Sequence, residues 1–195
     1  MLIAFEGIDG SGKSTQAAML VKWLEAAPGR EVVFSKEPTG GPWGTKLRQS
    51  FVTKRLSPDE ELQCFVNDRR EHVAQLLGPA LARGAIVVID RYYYSTVAYQ
   101  GARGLDPAGV LKLNESFAPR PRAVFLVDLE PQVALDRISA RAGGRDLLEN
   151  LDEQLKVREA FLELARTQGN FVLIDGRQSV DQMHAQIVGE MKRLL

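Results

Sequence analysis

The fold of this chain is decided by a stretch near its start, Leu2-Ile-Ala-Phe-Glu-Gly-Ile-Asp-Gly-Ser-Gly-Lys-Ser-Thr15. Its first four residues are apolar and predict a buried strand, and Gln16-Ala-Ala-Met-Leu20 directly after it opens well as a helix. Between the two, residues 7–14 fit the pattern G-x-x-x-x-G-K-[ST]. A strand, a glycine-rich turn and a helix in this order predict a phosphate-binding loop, or P-loop.

The residue types of this loop suit a nucleoside triphosphate. Gly7, Gly10 and Gly12 let the backbone turn its N–H groups toward an anion, and the positive end of the following helix points the same way. Lys13 is expected to place its charge between the β- and γ-phosphates, and the Ser14 hydroxyl is the expected Mg²⁺ ligand. A glycine turn that binds nothing is the alternative, and the strand–helix context argues against it. The predicted nucleotide-binding residues are Gly7, Ile8, Asp9, Gly10, Ser11, Gly12, Lys13, Ser14 and Thr15.

Length and charge limit the classes of function. The 195 residues, 45% of them hydrophobic, suffice for one α/β domain over residues 1–195 and are too few for two full domains. Because 25 basic and 25 acidic residues cancel, the basic field that nonspecific nucleic-acid binding requires is absent, and a nucleotide is the better partner. No apolar run approaches the roughly 20 residues of a membrane span, and no signal peptide precedes the first strand. We therefore expect a cytoplasmic protein.

The cysteine and the histidines suggest no metal or redox chemistry. Cys64 is the single cysteine, so no intrachain disulfide can form, and we expect it to pack inside a helix. His72 and His184 are isolated in the sequence, which argues against a zinc site. Both are expected to be surface histidines.

Strand and helix signals alternate along the rest of the chain. Four more apolar runs predict short strands, the first of them buried: Glu31–Ser35, Ala85–Asp90, Arg122–Asp128 and Phe171–Asp175. Helix starts lie between them, with capping boxes at 57–60 and 179–182 and proline-bearing starts at 106–107 and 130–131. The helix that begins near residue 57 is predicted to run to about Arg83. We expect a P-loop NTPase-type three-layer sandwich, with a parallel sheet of about five strands and helices on both faces.

Candidate ligand groups follow two of the predicted strands, at the ends where open α/β sheets bind ligands. After the second strand, Lys36-Glu-Pro-Thr-Gly-Gly-Pro42 packs charges, prolines and glycines, and an ordinary turn is the alternative to a binding loop. Asp90 ends the third apolar run, so its carboxylate is expected to emerge beside the P-loop and hold Mg²⁺ directly or through water. Arg91 follows at once.

Two helical patterns carry further candidates. Phe65 and Arg69 are four residues apart and share a face, where an aromatic ring beside a guanidinium can receive a base and its phosphate. A core phenylalanine with a surface arginine is the alternative. Ser95 and Tyr99 have the same spacing, with Gln100 adjacent, and packing is the alternative for the tyrosine.

Three arginines surround a pair of glycines late in the chain. Arg137, Arg141 and Arg145 flank Gly143-Gly144, so the segment over about 137–149 can close over phosphates as a short lid. A solvated helix face is the alternative.

In this combination and order, the motifs resemble the thymidylate kinases of the P-loop nucleoside monophosphate kinase group along essentially the whole chain. The matching motifs are the P-loop with acidic Asp9, Glu37-Pro38, Phe65-x-x-x-Arg69, Asp90-Arg91-Tyr92, Ser95-x-x-x-Tyr99-Gln100 and the arginine-bearing lid. The resemblance implies transfer of the γ-phosphate of Mg-ATP to dTMP, giving dTDP and ADP, in dTTP biosynthesis. It also implies a homodimer formed through helices beside the base site.

For the base of dTMP, the resemblance implies the following contacts. Phe65 stacks on thymine, and Arg69 reads the base edge. Glu37-Pro38 shapes the wall beside it, while Ser95 and Gln100 line the pocket.

For the sugar and phosphates, the resemblance implies a second group of contacts. Arg91 holds the dTMP phosphate, and Asp9 holds the deoxyribose 3′-OH. Tyr99 crowds the 2′ position and so disfavours ribonucleotides. Arg137 offers a plane on which adenine lies.

The chain departs from the family pattern at two places. Some relatives carry arginine at the position of Gly10, so here we expect Arg145, or failing it Arg141, to supply that charge from the lid and to act with Lys13 and Arg91 in catalysis. Lys36 stands where many relatives have arginine, and residues 39–42 also differ from the common form. Arg48 is expected to compensate by reaching the acceptor phosphate.

Two other functions remain open from the sequence. A kinase for another deoxynucleotide or for a deoxynucleoside is the nearer one, and a deoxynucleoside would require Glu37 to deprotonate a 5′-OH. Arg69 and Arg91, placed for an anionic acceptor, argue against the nucleoside. A P-loop switch acting through a partner protein is remote, since the Asn-Lys-x-Asp tetrapeptide typical of guanine recognition is absent.

Overall fold

One parallel sheet forms the centre of the molecule. The structure is a computed structural model that describes residues 1–27, 29–142 and 151–195. Its strands pair in the order β2-β3-β1-β4-β5, and every pair is parallel. The strands are β1 (Leu2–Glu6), β2 (Val32–Lys36), β3 (Ile86–Asp90), β4 (Ala123–Asp128) and β5 (Phe171–Asp175). The five predicted strands are confirmed, and the sheet places β1, which leads into the P-loop, at its middle.

Helices cover both faces of this sheet. They are α1 (Lys13–Glu25), α2 (Pro42–Val52), α3 (Pro58–His72), α4 (Gly78–Ala82), α5 (Tyr93–Ala102), α6 (Pro107–Glu115), α7 (Pro131–Ala142), α8 (Leu151–Thr167) and α9 (Val180–Leu194). None of the helices in the described ranges is long and apolar enough to cross a membrane. Alternate β1 residues enter two separate cores, Ala4 with α5 and α8 on one face and Phe5 with α1 and α9 on the other. The predicted three-layer α/β sandwich is confirmed.

The strand β2 differs from the prediction of a buried strand. It pairs only with β3 in the described part of the chain and so forms one edge of the sheet. Phe34, in its middle, is 45% exposed. The apolar run is the same for a central and an edge strand, because the sheet order depends on distant parts of the chain.

The loop after β2 is held in place by two helices, one of which the sequence analysis did not assign. This helix, α2, begins at Pro42, whose fixed φ suits the first helical turn. Asp68 of α3 accepts hydrogen bonds from Thr39 N (2.8 Å) and Thr39 Oγ1 (2.6 Å). Gly44 of α2 packs so closely on the loop that an added Cβ would lie 2.1 Å from Thr39 O. The loop is therefore a fixed part of the structure and not an ordinary turn.

The long helix predicted from Ser57 to about Arg83 is interrupted. Its capping box is present, with Ser57 Oγ accepting from Glu60 N and Glu60 accepting from Ser57 N. A π-helical turn over Val73–Leu77 separates α3 from α4. Gly78 N donates to Val73 O, and Pro79, which follows, has no N–H to continue an α-helical ladder. The extra residue in this turn is a local consequence of the proline.

We expect Gly44→Ala to destabilise the protein by about 1–3 kcal/mol, since the methyl group collides with backbone atoms that cannot move independently. The matched control is Gly189→Ala on the exposed side of α9, where no atom lies within 4 Å of an added Cβ. That change is expected to stabilise the protein by about 0.5–1 kcal/mol through helix propensity. Urea unfolding of both variants measures the difference. Equal free energies of unfolding would contradict the close packing of α2 on the loop.

Candidate active site

A cavity of about 490 Å³ opens at the carboxyl edge of the sheet, beside the P-loop. It is bounded by the P-loop, the loop after β2, α3, α5 and the start of α8. We call it the central cavity. Its lining residues are Asp9, Glu37, Pro38, Phe51, Thr53, Arg55, Phe65, Arg69, Arg91, Tyr92, Ser95, Thr96, Tyr99, Glu153 and Gln154. Eight residues that the sequence analysis singled out for substrate binding are among them.

The P-loop presents free backbone donors next to this cavity. Gly12 precedes α1, and no side chain in the described ranges caps the N–H groups at that end of the helix. Ser14 and Thr15 are exposed there. Gly10 has φ +79°, and an added Cβ would lie 2.5 Å from Ala134 O of α7. The P-loop backbone is thus open to an anion, while the Gly10 position has no room for a side chain unless α7 shifts.

Asp9 links two cations that the sequence places 78 residues apart. Its Oδ1 accepts from Lys13 Nζ at 3.0 Å and from Arg91 Nη2 at 2.6 Å. Chiefly the charge of Arg91, with that of Lys13, holds the pKa of Asp9 well below its usual range. Burial, together with the nearby Arg91, lowers the pKa of Lys13. Half of the Asp9 side chain is exposed, so the carboxylate remains accessible from the cavity.

Arg91 has a strained backbone and a fixed side chain. Its φ of +64° lies in the left-handed region, which is uncommon for residues other than glycine and concentrates at functional sites. Its N–H donates to Phe5 O of β1 at 2.9 Å. Its guanidinium donates to Ser95 Oγ at 2.9 Å and lies 5.1 Å from the centre of the Tyr99 ring. The structure thus places Arg91, Ser95 and Tyr99, which the sequence analysis assigned to the substrate site, in contact with one another.

Glu6 lies beneath Arg91, and the sequence analysis did not single it out. The side chain is fully buried at the end of β1. Burial raises its pKa to about 7, against hydrogen bonds from Ser95 and Tyr92 that lower it. A carboxylate within an otherwise apolar strand was the signal that could have identified it, because isolated buried charges are costly.

A second buried network positions Arg69. Glu37 Oε2 accepts from Arg69 Nε at 2.8 Å, and Glu37 Oε1 lies 3.0 Å from His72 Nδ1. Arg69 also donates to Thr96 Oγ1 (3.0 Å) and to Asn114 Oδ1 (2.5 Å). Arg69 is 1% exposed, so the alternative of a surface arginine is wrong.

The prediction of a surface position is wrong for His72. The side chain is 6% exposed, and its Nε2 lies 2.8 Å from Ser35 Oγ of β2. The π-helical turn begins directly after His72. The contact of His72 with Glu37 packs this end of α3 against the loop that follows β2. Burial of the ring against β2 and Glu37 could not be read from an isolated histidine in the sequence. Cys64 is buried, as expected of a packing residue.

Two predicted substrate contacts lie elsewhere. Gln100 is buried and donates to Glu61 Oε2 at 3.0 Å, and it does not line the cavity. Successive side chains of a helix point about 100° apart, so Gln100 faces a different direction from Tyr99. The prediction that Gln100 lines the pocket did not take this into account. Arg48 is exposed and donates to Pro38 O at 3.0 Å, lining an open groove of about 1020 Å³ on the outer side of the loop. Neither side chain faces the central cavity.

The remaining predicted residues lie on the nucleotide side of the P-loop or outside the described part. Asp90 is 8% exposed, and its Oδ1 is buried without a hydrogen-bond partner among the described residues. Arg137 of α7 donates to Gly176 O, just after β5, at 3.0 Å. Arg145 and the side chain of Arg141 lie outside the described residues.

Several cavity residues had no signal in the sequence. Phe51, Thr53 and Arg55 come from the end of α2 and the segment after it, and Glu153 and Gln154 come from α8. Arg55 donates to Glu153 at 3.2 Å across 98 residues of sequence. Such a wall is formed by tertiary packing, which no local motif encodes.

Comparison with known proteins agrees with this geometry. The family model described as thymidylate kinase matches residues 5–187. A thymidylate kinase of Xanthomonas oryzae pv. oryzae is 51% identical over 193 residues, covering 98% of this chain and 84% of that protein. One from Akkermansia muciniphila is 57% identical over 148 residues, covering 76% of this chain and 71% of that protein. The crystal structure of thymidylate kinase from Ehrlichia chaffeensis superposes with a TM-score of 0.80 at 28% identity, covering 98% of both chains. The chain therefore belongs to the thymidylate kinase family.

Proposed function

We propose that this chain transfers the γ-phosphate of ATP to dTMP, giving dTDP and ADP, in the synthesis of dTTP. The observation that carries the proposal is the pair of ion pairs at Asp9. They place Lys13 of the P-loop and Arg91 of the central cavity on one carboxylate. A cation for the donor phosphates and a cation for the acceptor phosphate therefore lie side by side, as in-line transfer requires.

The chemistry of the acceptor explains why these cations suffice. A phosphomonoester has its second pKa at about 6, so the attacking oxygen of dTMP is already largely ionised at neutral pH. No protein base is needed. The protein has to align two anions and stabilise charge that spreads over the oxygens of the transferred group. Lys13 and Arg91, which both donate to Asp9 Oδ1, meet the second requirement.

The walls of the central cavity suit a pyrimidine deoxynucleotide. Phe65 is half-buried at the wall and offers a face for the base. The bonds of Arg69 to Glu37, Thr96 and Asn114 within the described residues leave one N–H of Nη1, which we assign to the base edge. Tyr99 lies against the guanidinium of Arg91 and lines the cavity, which supports its proposed role of crowding a ribose 2′-OH.

Asp90 and Ser14 fit a bound Mg²⁺. The buried Asp90 Oδ1 lacks a protein donor, and carboxylate and hydroxyl oxygens are the ligands that Mg²⁺ accepts beside phosphate. Asp90 is also close enough to Lys13 to raise the pKa that burial of the lysine lowers. When bound, Mg²⁺ neutralises charge on the β- and γ-phosphates. Ser14 and Asp90 are the residues that would hold it.

The hydrogen bonds that Glu37 already makes argue against a deoxynucleoside as acceptor. A 5′-OH has to lose its proton, and Glu37 is the carboxylate at a suitable place for that task. Both of its oxygens are already bound, one to Arg69 and the other to His72.

We also propose that the protein is a homodimer, as expected from the family resemblance. Phe34 of β2 and Leu76 of the π-helical turn are 45% and 36% exposed and line the same outer groove, beside α3. Burial of such neighbouring apolar side chains favours association. This groove adjoins the wall of the central cavity through Pro38, which lines both.

The acceptor preference tests the proposed reaction. ADP formation from Mg-ATP is measured with dTMP, dUMP, dCMP, dGMP, UMP and thymidine. We expect dTMP to have the highest kcat/KM, with dUMP reduced roughly 10- to 200-fold because one methyl contributes about 1–3 kcal/mol. Thymidine is expected to give no product. Phosphorylation of thymidine with dTMP ignored would overturn the roles of Arg69 and Arg91 and make Glu37 the base.

The missing side chain at Gly10 leads us to propose an arginine from the lid segment as the third cation. A Cβ at Gly10 would collide with Ala134 O of α7, so the P-loop cannot carry this charge in the present geometry. Arg141 lies near the end of α7, and Arg145 follows that helix in the sequence. An arginine that reaches the transferred phosphate contributes about 10³-fold or more in rate in related chemistry.

For Arg145→Ala, or failing it Arg141→Ala, we expect kcat to fall about 10³-fold with the affinity for dTMP within a small factor of the wild type. Single-turnover kinetics separate the chemical step from product release. The matched control is Arg166→Ala on α8, since Arg166 is exposed and its ion pair among the described residues is the local one with Glu163. If both lid variants turn over as fast as this control, the third cation comes from elsewhere.

A further inference from the structure

The buried carboxylate of Glu6 caps a helix that does not carry its own cap. Helix α5 begins after Tyr92, whose side chain forms no capping hydrogen bond. Glu6 Oε1 instead accepts from Tyr92 N at 2.9 Å and from Ser95 N at 3.1 Å. Backbone N–H groups at a helix start require acceptors, and a negative charge there is stabilising. The acceptor for α5 is thus supplied by β1.

The same carboxylate fixes the backbone on one side of Arg91. The other side is fixed by Phe5, whose carbonyl accepts from Arg91 N. Two adjacent residues of β1 therefore hold the strained, left-handed backbone of Arg91 from both sides. Such a conformation costs of the order of 1–3 kcal/mol and persists only where the surroundings impose it.

Glu6 also reaches the guanidinium of Arg91 through one hydroxyl. Ser95 Oγ donates its single proton to Glu6 Oε2 at 2.5 Å. A lone pair of Ser95 Oγ is then free to face Arg91 Nη1, which donates to Oγ at 2.9 Å. The ionised carboxylate thereby sets the direction of the Ser95 hydroxyl and the position of Arg91 Nη1.

The contact of Arg91 with Asp9 is of a different kind. Asp9 binds Nη2, lines the cavity and is half exposed, whereas Glu6 is fully buried and reaches Arg91 Nη1 through the Ser95 hydroxyl. An arriving phosphate competes with Asp9 for the open side of Arg91. It does not compete with Glu6, so this support persists when the acceptor is bound.

We propose that Glu6 is a positioning residue for the acceptor phosphate, acting through the first turn of α5 and through Ser95 to hold Arg91 ready. The proposal rests on the proposed function of Arg91 as the group that receives the phosphate of dTMP. Glu6 itself touches no substrate, because its side chain is fully buried. Removal of the Glu6 carboxylate should therefore weaken binding of the acceptor phosphate and leave binding of the nucleoside part unchanged.

The test compares dTMP with thymidine, which lacks the phosphate, by calorimetric titration of wild type and Glu6→Gln. The titrations are run at pH 8, where Glu6, with its pKa of about 7, is ionised. In the variant, an amide N–H donates to Ser95 Oγ, so the serine proton loses the carboxylate as its acceptor and the negative charge next to Ser95 and Arg91 is removed. Both changes weaken the hold on Arg91 Nη1. We expect dTMP to bind about tenfold more weakly or worse, and thymidine to bind within about twofold of the wild type.

Further variants separate the outcomes. Arg91→Ala has to reduce the affinity for dTMP to about that for thymidine; if it does not, the proposed role of Arg91 fails. If Arg91→Ala does so and Glu6→Gln keeps the wild-type advantage of dTMP, the proposal for Glu6 is wrong. Ile187→Val in the core beneath α9 controls for lost stability, since it is far from Arg91 and should leave both affinities unchanged.

Ser95→Ala keeps the experiment decisive if Glu6→Gln does not fold. It removes the hydroxyl and leaves the backbone contacts of Glu6 in place. Because Ser95 also lines the central cavity, the expected result is a clearly larger loss of affinity for dTMP than for thymidine. Where both variants fold, the double variant should bind dTMP about as weakly as the worse single variant, because the two residues act through one contact. Additive losses, or equal losses for dTMP and thymidine, would contradict the proposal.

Discussion

The Asp9 carboxylate is the contact on which the site depends. It neutralises Lys13 and Arg91, two cations that would otherwise repel each other at the mouth of the central cavity. In the free protein these ion pairs satisfy both cations without a substrate. On the proposed roles of Lys13 and Arg91, the phosphates displace Asp9 from both cations. The charge that we propose for phosphoryl transfer is then assembled before either substrate binds, so little reorganisation is needed at the moment of reaction.

The order of the strands makes this contact available. Because β1 and β3 are parallel neighbours with Phe5 opposite Asp90, the chain leaves both strands at the same edge. The P-loop leaves from β1 and Arg91 from β3, so Arg91 meets the carboxylate of Asp9, 82 positions earlier in the chain. The end of β1 then holds the backbone around Arg91 from beneath. The sheet acts as a rigid base for both halves of the site.

Local signals in the sequence predicted much of this arrangement, and tertiary packing explains the rest. The P-loop, the five strands and the capping box at Ser57 each depend on neighbours in sequence, and each was found. The edge position of β2, the burial of His72 and the location of Arg48 depend on which distant segments pack together. Sequence motifs identify the side chains that contact a substrate more readily than they identify the buried side chains that hold those residues in position. Glu6 belongs to the second kind, and a single charge in an apolar strand was its signal.

The role of Asp9 as a counter-ion is tested most directly by measuring the affinity of Asp9→Asn for 3′-deoxythymidine monophosphate. This acceptor lacks the 3′-OH, so a lost contact between Asp9 and the sugar cannot enter the result. If Asp9 is a counter-ion that the acceptor displaces, while Glu6 and Ser95 position Arg91, the variant binds this acceptor at least as tightly as the wild type. A loss as large as that of Arg91→Ala would instead show that Asp9 is needed to position the arginine.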